Sequence, residues 1–287
     1  MTQDAIPSIL QKIVNTKQQE VAQAKAVKDI ATIKAEAEQL LASGSAPRRG
    51  FANALIAKQQ VSKPAIIAEV KKASPSKGII SPNFQPALTA EQYQDAGAAC
   101  LSVLTDEQYF QGHSQYLEQA KAACQLPVLR KDFMIDPYQI YESYLMGADC
   151  ILLIVACLDQ PTLQQLHQVA CDLGLDVLIE VHTQQELERA LQLPDSVHNI
   201  YGINNRDLNT FNTDLQTSIK LKAVLDSNAS EAATQPRLLV TESGIHSTED
   251  MQLMLDNDID CFLIGEQFMK TDNPGATLAN LLNSLTK

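Results

Sequence analysis

The chain has 287 residues, 45% hydrophobic and 20% charged, which supplies a full core and excludes a disordered or fibrous chain. Its 22 Lys and Arg against 34 Asp and Glu leave a net charge of −12, a balance that argues against nucleic acid or an anionic membrane as partner. The longest unbroken apolar run, Cys150 to Leu158, falls far short of the roughly 20 residues of a spanning helix, and the polar N-terminus lacks the basic start of a secretion signal.

Residues 1 to 60 read as a helical extension. Ile6, Ile9, Leu10, Ile13 and Val14 keep helical spacing, and the Ala/Lys/Glu/Gln stretch from Lys17 to Leu41 has high helix propensity. Gly44 to Gly50, with Pro47 inside it, ends this region, and the Arg48-Arg49 pair there reads as part of a solvated loop.

From Pro64 onward short apolar runs alternate with amphipathic helices. The runs are Ala65–Val70, Cys100–Leu104, Pro127–Leu129, Cys150–Ala156, Asp176–Val181, Asn199–Ile203, Leu238–Val240 and Cys261–Ile264. Each is nearly continuous, as parallel strands covered on both faces should be. Helical patterns fall between them, among them Leu88–Ala96, Pro137–Met146, Pro161–Leu173, Thr183–Leu191, Leu215–Leu225 and Thr248–Leu255. Gly97, Gly147 and Gly174 stand where helices should end. Eight strand–helix units in this length predict an α/β chain folded as one (β/α)8 TIM barrel over residues 1–287, with 1–60 as its N-terminal helical extension. An open doubly wound sheet is the alternative, but no Gly-rich GxGxxG turn follows any run.

The six cysteines form no CxxC pair, and four sit in apolar patterns, so they read as reduced core residues of a cytoplasmic protein. The five histidines give no HExxH or HxH spacing, so no metal site is expected.

In such a barrel the chemistry gathers where the strands end. The first run leads into Glu69, Lys71 and Ser74, and the third into Arg130-Lys131-Asp132-Phe133. The fifth carries Glu180, and the sixth leads into Asn204-Asn205-Arg206-Asp207. The seventh leads into Glu242-Ser243-Gly244 and the eighth into Gly265-Glu266. Solvated strand edges would explain one or two such ends; six of eight is a pattern. Period-2 alternation sends Glu69 and Lys71 to the same side, into the barrel mouth. Two lysines and several carboxylates in one low-dielectric cavity shift one another's pKa values, which prepares proton donors and acceptors, although a purely structural ion-pair network would look alike from spacing. Ser-Gly and Gly at the last two strands leave backbone N–H groups open to a phosphate.

The stretch Ile-Ile-Ala-Glu-Val-Lys-Lys-Ala-Ser-Pro-Ser-Lys-Gly at 66–78 resembles the signature of the indole-3-glycerol phosphate synthase family. Further blocks at 104–112, 129–133, 202–208, 242–245 and 262–266 follow in order, and the helical extension suits the family as well. The resemblance implies a cofactor-free, metal-free lyase of tryptophan biosynthesis. It converts 1-(2-carboxyphenylamino)-1-deoxyribulose 5-phosphate into indole-3-glycerol phosphate, carbon dioxide and water. By resemblance Lys131 is the general acid for ring closure, Glu180 the base for dehydration, and Lys71 the partner of the substrate carboxylate. Glu69, Asn204 and Glu242 fall at positions that orient these groups. Ser74, Ser243, Gly244, Gly265 and Glu266 match phosphate-binding positions, Glu266 through its backbone N–H, and Phe133, Arg206 and Leu208 match substrate-lining ones. His113 and Gln267 depart from the family's commonest residues, which bears on loop detail and not on the reaction. The implied partner is a phosphorylated small molecule, with the chain a monomer or weak homo-oligomer.

Three rival readings fit less well. Phosphoribosylanthranilate isomerase chemistry wants a Cys base near the end of the first strand, where Glu69 and Lys71 stand, and an orotidine-type decarboxylase wants an Asp-x-Lys-x-x-Asp array that is missing. A phosphosugar-binding barrel that had lost catalysis should show damage at Lys71, Lys131 or Glu180, and all three are intact.

The charge balance generates a test. A doubly anionic substrate approaching a chain of charge −12 needs a local positive field, which Lys71, Lys131 and Arg206 would supply. Salt with a Debye length of about 8 Å at physiological strength should weaken it, so kcat/KM is expected to fall with added NaCl while kcat changes much less. Arg206→Gln should flatten that dependence; equal salt slopes in both proteins would remove Arg206 from the steering set.

Overall fold

The computed structural model describes residues 8–61, 64–228 and 237–285. Eight parallel strands close into a barrel: β1 (Ala65–Val70), β2 (Cys100–Leu104), β3 (Val128–Lys131), β4 (Cys150–Ile154), β5 (Asp176–Val181), β6 (Asn199–Asn204), β7 (Leu238–Glu242) and β8 (Cys261–Ile264). Each strand pairs with its neighbours in sequence, and β1 closes the ring against both β2 and β8. This is the expected (β/α)8 barrel, with helices packed outside it.

Four C-terminal strand ends differ from the expected ones, three by running on and one by stopping short. β3, β6 and β7 run on to include Lys131, Asn204 and Glu242, because inward-facing polar side chains still continue the hydrogen-bonded ladder. β4 stops at Ile154, where Val155–Cys157 tightens into a 3₁₀ turn. Helices Pro137–Met146 and Thr248–Leu255 fall where expected. Gly97, Gly147 and Gly174 all take positive φ after their helices, as C-terminal caps do.

The barrel interior is filled in layers, four side chains at a time from alternate strands. Ile67, Leu129, Leu178 and Val240, from β1, β3, β5 and β7, belong to one buried cluster. Two residues further along the same strands stand Glu69, Lys131, Glu180 and Glu242. Period-2 alternation therefore stacks a charged layer directly above an apolar one.

Three helices make the N-terminal extension: α1 (Ser8–Val27), α2 (Ile30–Ser43) and α3 (Phe51–Gln60). The propensity from Lys17 to Leu41 gives no sign of the break between α1 and α2, which Asp29 makes by capping the Thr32 N–H. α3 plugs the N-terminal end of the barrel with Phe51, Ala52 and Leu55, all buried in the same cluster as the lower strand residues. Its entry corrects the reading of Arg48 and Arg49 as solvated. Arg48 lies over the Tyr144 ring and donates to the Tyr144 and Ala148 carbonyls, and Arg49 donates to those of Lys121, Cys124 and Leu126. Both guanidinium groups satisfy carbonyls at and just beyond helix C-termini, which carry partial negative charge.

α1 lies across the opposite end. Its buried stripe is Leu10, Ile13, Val14, Lys17 and Val21, so an ammonium occupies the middle of an apolar face. Lys17 reaches Asp106 at 3.0 Å and Asp132 at 2.9 Å, both fully or nearly buried. Ile6 lies outside the described residues. All six cysteines are free thiols, four of them buried. No helix of the described residues is long and apolar enough to cross a membrane.

Lys17→Met should therefore cost about 3 kcal/mol of unfolding free energy, the scale of removing one partner from a buried ion pair. Urea denaturation checks it, and a loss below about 1 kcal/mol would show that Asp106 and Asp132 do not depend on α1.

Candidate active site

The C-terminal ends of the strands surround one cavity, lined by every residue given a catalytic or substrate-binding place from the sequence: Glu69, Lys71, Ser74, Lys131, Phe133, Glu180, Asn204, Arg206, Leu208, Glu242, Ser243, Gly244, Gly265 and Glu266; Arg130, Asn205 and Asp207, also at strand ends, do not line it. The floor is the charged layer. Lys131 Nζ lies 3.4 Å from Glu180 Oε2 and 3.7 Å from Glu242 Oε2, while Lys71 Nζ pairs with Glu69 Oε1. Asn204 Nδ2 donates to Glu180 Oε1 at 3.2 Å.

Burial opposes a charge on Lys131, but the Glu180, Glu242 and Glu69 carboxylates outweigh it and hold the ammonium well above its ordinary pKa. Glu180 is likewise buried, yet Lys131 and the adjacent His182 hold its carboxyl well below the usual range. Glu242 goes the other way. Burial and the charge of Glu180 push its pKa up against the pull of Lys131, so the two neighbouring carboxyls are drawn in opposite directions.

The local sequence explains how Lys131 is aimed. Its neighbours Arg130, on β3, and Asp132, just past the strand's end, face the helix layer, where Arg130 binds Glu142 at 2.7 Å and Ser143 Oγ at 3.1 Å. Asp132 accepts from Thr105 Oγ1 at 2.6 Å and from Lys17. With both neighbours fixed outward, alternation leaves Lys131 pointing at the axis.

Space for the carboxylates comes from missing side chains. A Cβ on Gly202 would run into Glu242 Oε1, and one on Gly265 would overlap Glu69. Asn205 then ties the β6 and β7 ends together: its Nδ2 donates to Thr241 Oγ1 and to the Glu242 and Ser243 carbonyls, and its Oδ1 accepts from Ser218.

One flank of the cavity suits an anion. Ser74 Oγ is buried there without a partner, and Ser243 and Gly244 both take positive φ. Glu266 pairs its carboxylate with Lys270 at 2.5 Å and begins helix Glu266–Met269, so its backbone N–H has no acceptor within that helix. Arg206 stands nearby with no acid in ion-pair reach among the described residues and a buried, unpartnered Nε. The opposite wall is apolar: Phe133 packs against Phe110 at 6.1 Å between centroids, and Ile9, Leu10 and Ile13 of α1 complete it.

The Indole-3-glycerol phosphate synthase family profile matches residues 10–281. The chain belongs to the indole-3-glycerol phosphate synthase family. Two relatives of that name, from Chromobacterium violaceum and Polaromonas naphthalenivorans, are 51% and 50% identical over 273 residues, covering 95% of this chain and 97% and 98% of theirs. Among solved structures, tryptophan synthase subunit alpha from Legionella pneumophila superposes with a TM-score of 0.59 at 14% identity, covering 84% of this chain and 99% of that one. KGPDC from Streptococcus mutans gives 0.56 at 12%, covering 78% of this chain and 100% of that one. At that identity these two speak to the barrel alone.

Some site residues were not singled out from the sequence. Phe110 lies inside the 104–112 block, where an aromatic after an acidic turn was the available signal. The α1 residues show only as the first turns of an apolar stripe. Asn205 stands in the Asn204–Asp207 stretch, but its partners at the end of β7 are reached only through the fold, and His182 meets Glu180 and Glu186 only because strand and helix turn them toward it. His113 and Gln267 have local jobs: His113 Nδ1 accepts the Gln115 N–H, and Gln267 Nε2 donates to the His246 carbonyl.

Gly265→Ala should displace Glu69 and with it Lys71. We expect kcat/KM to fall about tenfold or more, with the thermal midpoint nearly kept, because misplacement by an ångström is costly in a site of this kind. Unchanged kinetics would show that the Glu69–Lys71 pair needs no such clearance.

Proposed function

We propose that the chain carries out the reaction of its family, ring closure of 1-(2-carboxyphenylamino)-1-deoxyribulose 5-phosphate with loss of carbon dioxide and water. The observation that carries the residue assignments is the Lys131 ammonium held in a layer of three carboxylates beside a flank suited to phosphate. The phosphate would lie against Ser74, Ser243, Gly244, Gly265 and Glu266, with Arg206 supplying charge. The aryl ring would pack on Phe133 and Phe110, with Leu208 beside it, and its carboxylate would meet Lys71.

Lys131 then gives a proton to the carbonyl oxygen as the aryl carbon attacks the carbonyl carbon. The new carbon–carbon bond leaves the ring cationic, and departure of carbon dioxide returns the electron pair to it. In the dehydration Glu180 takes a proton from the intermediate while the hydroxyl leaves as water, with Lys71 placed to protonate it. Asn204 fixes the orientation of Glu180, Glu69 that of Lys71, and Glu242 shares Lys131. The chemistry asks for cations near developing oxyanions and one ionised base, all of which these side chains supply.

The reading extends to one barrel domain with an N-terminal helical extension, and to a cytoplasmic monomer or weak homo-oligomer. The continuous barrel and extension support the first; six free thiols and the net charge of −12 are consistent with the second.

Indole fluorescence reports product directly. Lys131→Met should lose about 10³-fold or more in kcat with substrate binding largely kept, and Glu180→Gln should fail at dehydration and accumulate an earlier intermediate. A variant keeping a third of wild-type activity at every pH would contradict the role given to that residue.

A further inference from the structure

His182 follows β5 and does not line the cavity, yet it touches the base. Its Nε2 lies 3.3 Å from Glu180 Oε1, within ion-pair reach. Its Nδ1 lies 3.1 Å from Glu186 Oε2, and the same carboxylate accepts the His182 backbone N–H at 2.8 Å. Glu186 is in turn fixed by its place at the third position of helix Gln184–Ala190, whose cap Thr183 accepts its N–H. Ring, carboxylate and backbone thus form a chain from the helix layer to the floor of the site. His182 and Glu180 are both almost fully buried, 7% and 4% exposed at the side chain, so water screens this chain little.

We infer that His182 is a positioning residue for the proposed dehydration base: held from behind by Glu186, its ring fixes the Glu180 carboxylate and stands as a second cation opposite Lys131. The inference rests on the functional reading above, which makes Glu180 the base.

The geometry shows why a second cation is needed. Glu180 on β5 faces Lys131 on β3, Asn204 on β6 and Glu242 on β7, with Glu69 on β1 beyond Lys131. Lys71 pairs with Glu69, which leaves Lys131 shared between Glu180 and Glu242 unless a further cation stands beside Glu180. On its other side the ring faces Glu186, with Asp207 of the loop after β6 acting at longer range and the half-buried Cys157 thiol near the two carboxylates. Burial opposes charge on the ring, but Glu180 and Glu186 outweigh it and push its pKa up to about 10, so the imidazolium persists through the neutral range. The sign follows. A cation beside Glu180 lowers that carboxyl's pKa and lets it act as a base down to low pH; removing the cation moves its protonation upward.

The test is the pH profile of kcat for wild type, His182→Gln, His182→Leu and Glu186→Gln, read by indole fluorescence, with thermal melts to confirm folding. Gln keeps a donor near Nε2 without the charge. We expect its acid limb to move up by about one pH unit or more, with the high-pH plateau within about threefold of wild type. Leu should show the same displacement with a lower plateau, and Glu186→Gln a smaller displacement in the same direction. If Leu fails to fold, the Gln profile decides. Limbs that superimpose on wild type, or a plateau that falls with the limb unmoved, would overturn the inference and leave His182 a packing residue. A wild-type chain that forms no product would overturn the functional reading first, and this inference with it.

Discussion

A buried ammonium ringed by carboxylates is the constraint around which the upper barrel is arranged. Desolvating Lys131 is unfavourable unless opposite charges lie close, and desolvating Glu180 and Glu242 together is unfavourable unless one holds its proton or another cation is near. The layer meets both conditions, with Lys131 between the two carboxylates, Glu242 pushed toward its protonated form, and His182 on the far side of Glu180. Gly202 and Gly265 leave room for the carboxylates, and Asn205 holds the two strand ends at the needed separation. Outside the barrel, Arg130, Asp132 and Lys17 fix β3 so that Lys131 faces inward. That last link also clamps α1 across the mouth, where its apolar turn excludes water from a site whose electrostatics depend on dryness.

Much of this was legible in the sequence because parallel strands buried on both faces are written as unbroken apolar runs. All eight runs became barrel strands, and every residue given a catalytic or substrate-binding place lines one cavity. The misreadings share a cause. Lys131, Asn204 and Glu242 look like the start of loops, since polarity is the usual mark of a loop, yet each remains in its strand because its inward neighbours carry compensating charge or amide groups. Arg48 and Arg49 look solvated for the same reason, although helix-end carbonyls more than 70 residues away take up their donors. His182 was invisible in another way: a histidine after a strand has no meaning until the fold sets Glu180 and Glu186 on either side of it.

The site also reconciles an acidic protein with an anionic substrate. The net charge of −12 belongs to the whole surface, whereas Lys71, Lys131, His182 and Arg206 are gathered at the strand ends. Arg206 alone among these has no acid beside it among the described residues, and it sits toward the flank suited to phosphate. Field at that flank is therefore uncompensated, while at the floor it is balanced almost charge for charge. Binding and proton transfer are separated in space within one cavity, the first drawing on free charge and backbone N–H groups, the second on paired charge.

The split between the two floor carboxylates is the claim most open to direct measurement. Carbon-13 labelling of the glutamate carboxyls, followed by NMR across pH, resolves their protonation in the folded chain. One resonance is expected to titrate well above the ordinary glutamate range and to be absent from Glu242→Gln, and another, assigned by Glu180→Gln, to titrate well below it. Lys131→Met should move the Glu180 resonance upward. Two floor carboxyls titrating together in the ordinary range, unmoved by the loss of Lys131, would contradict the account at its centre.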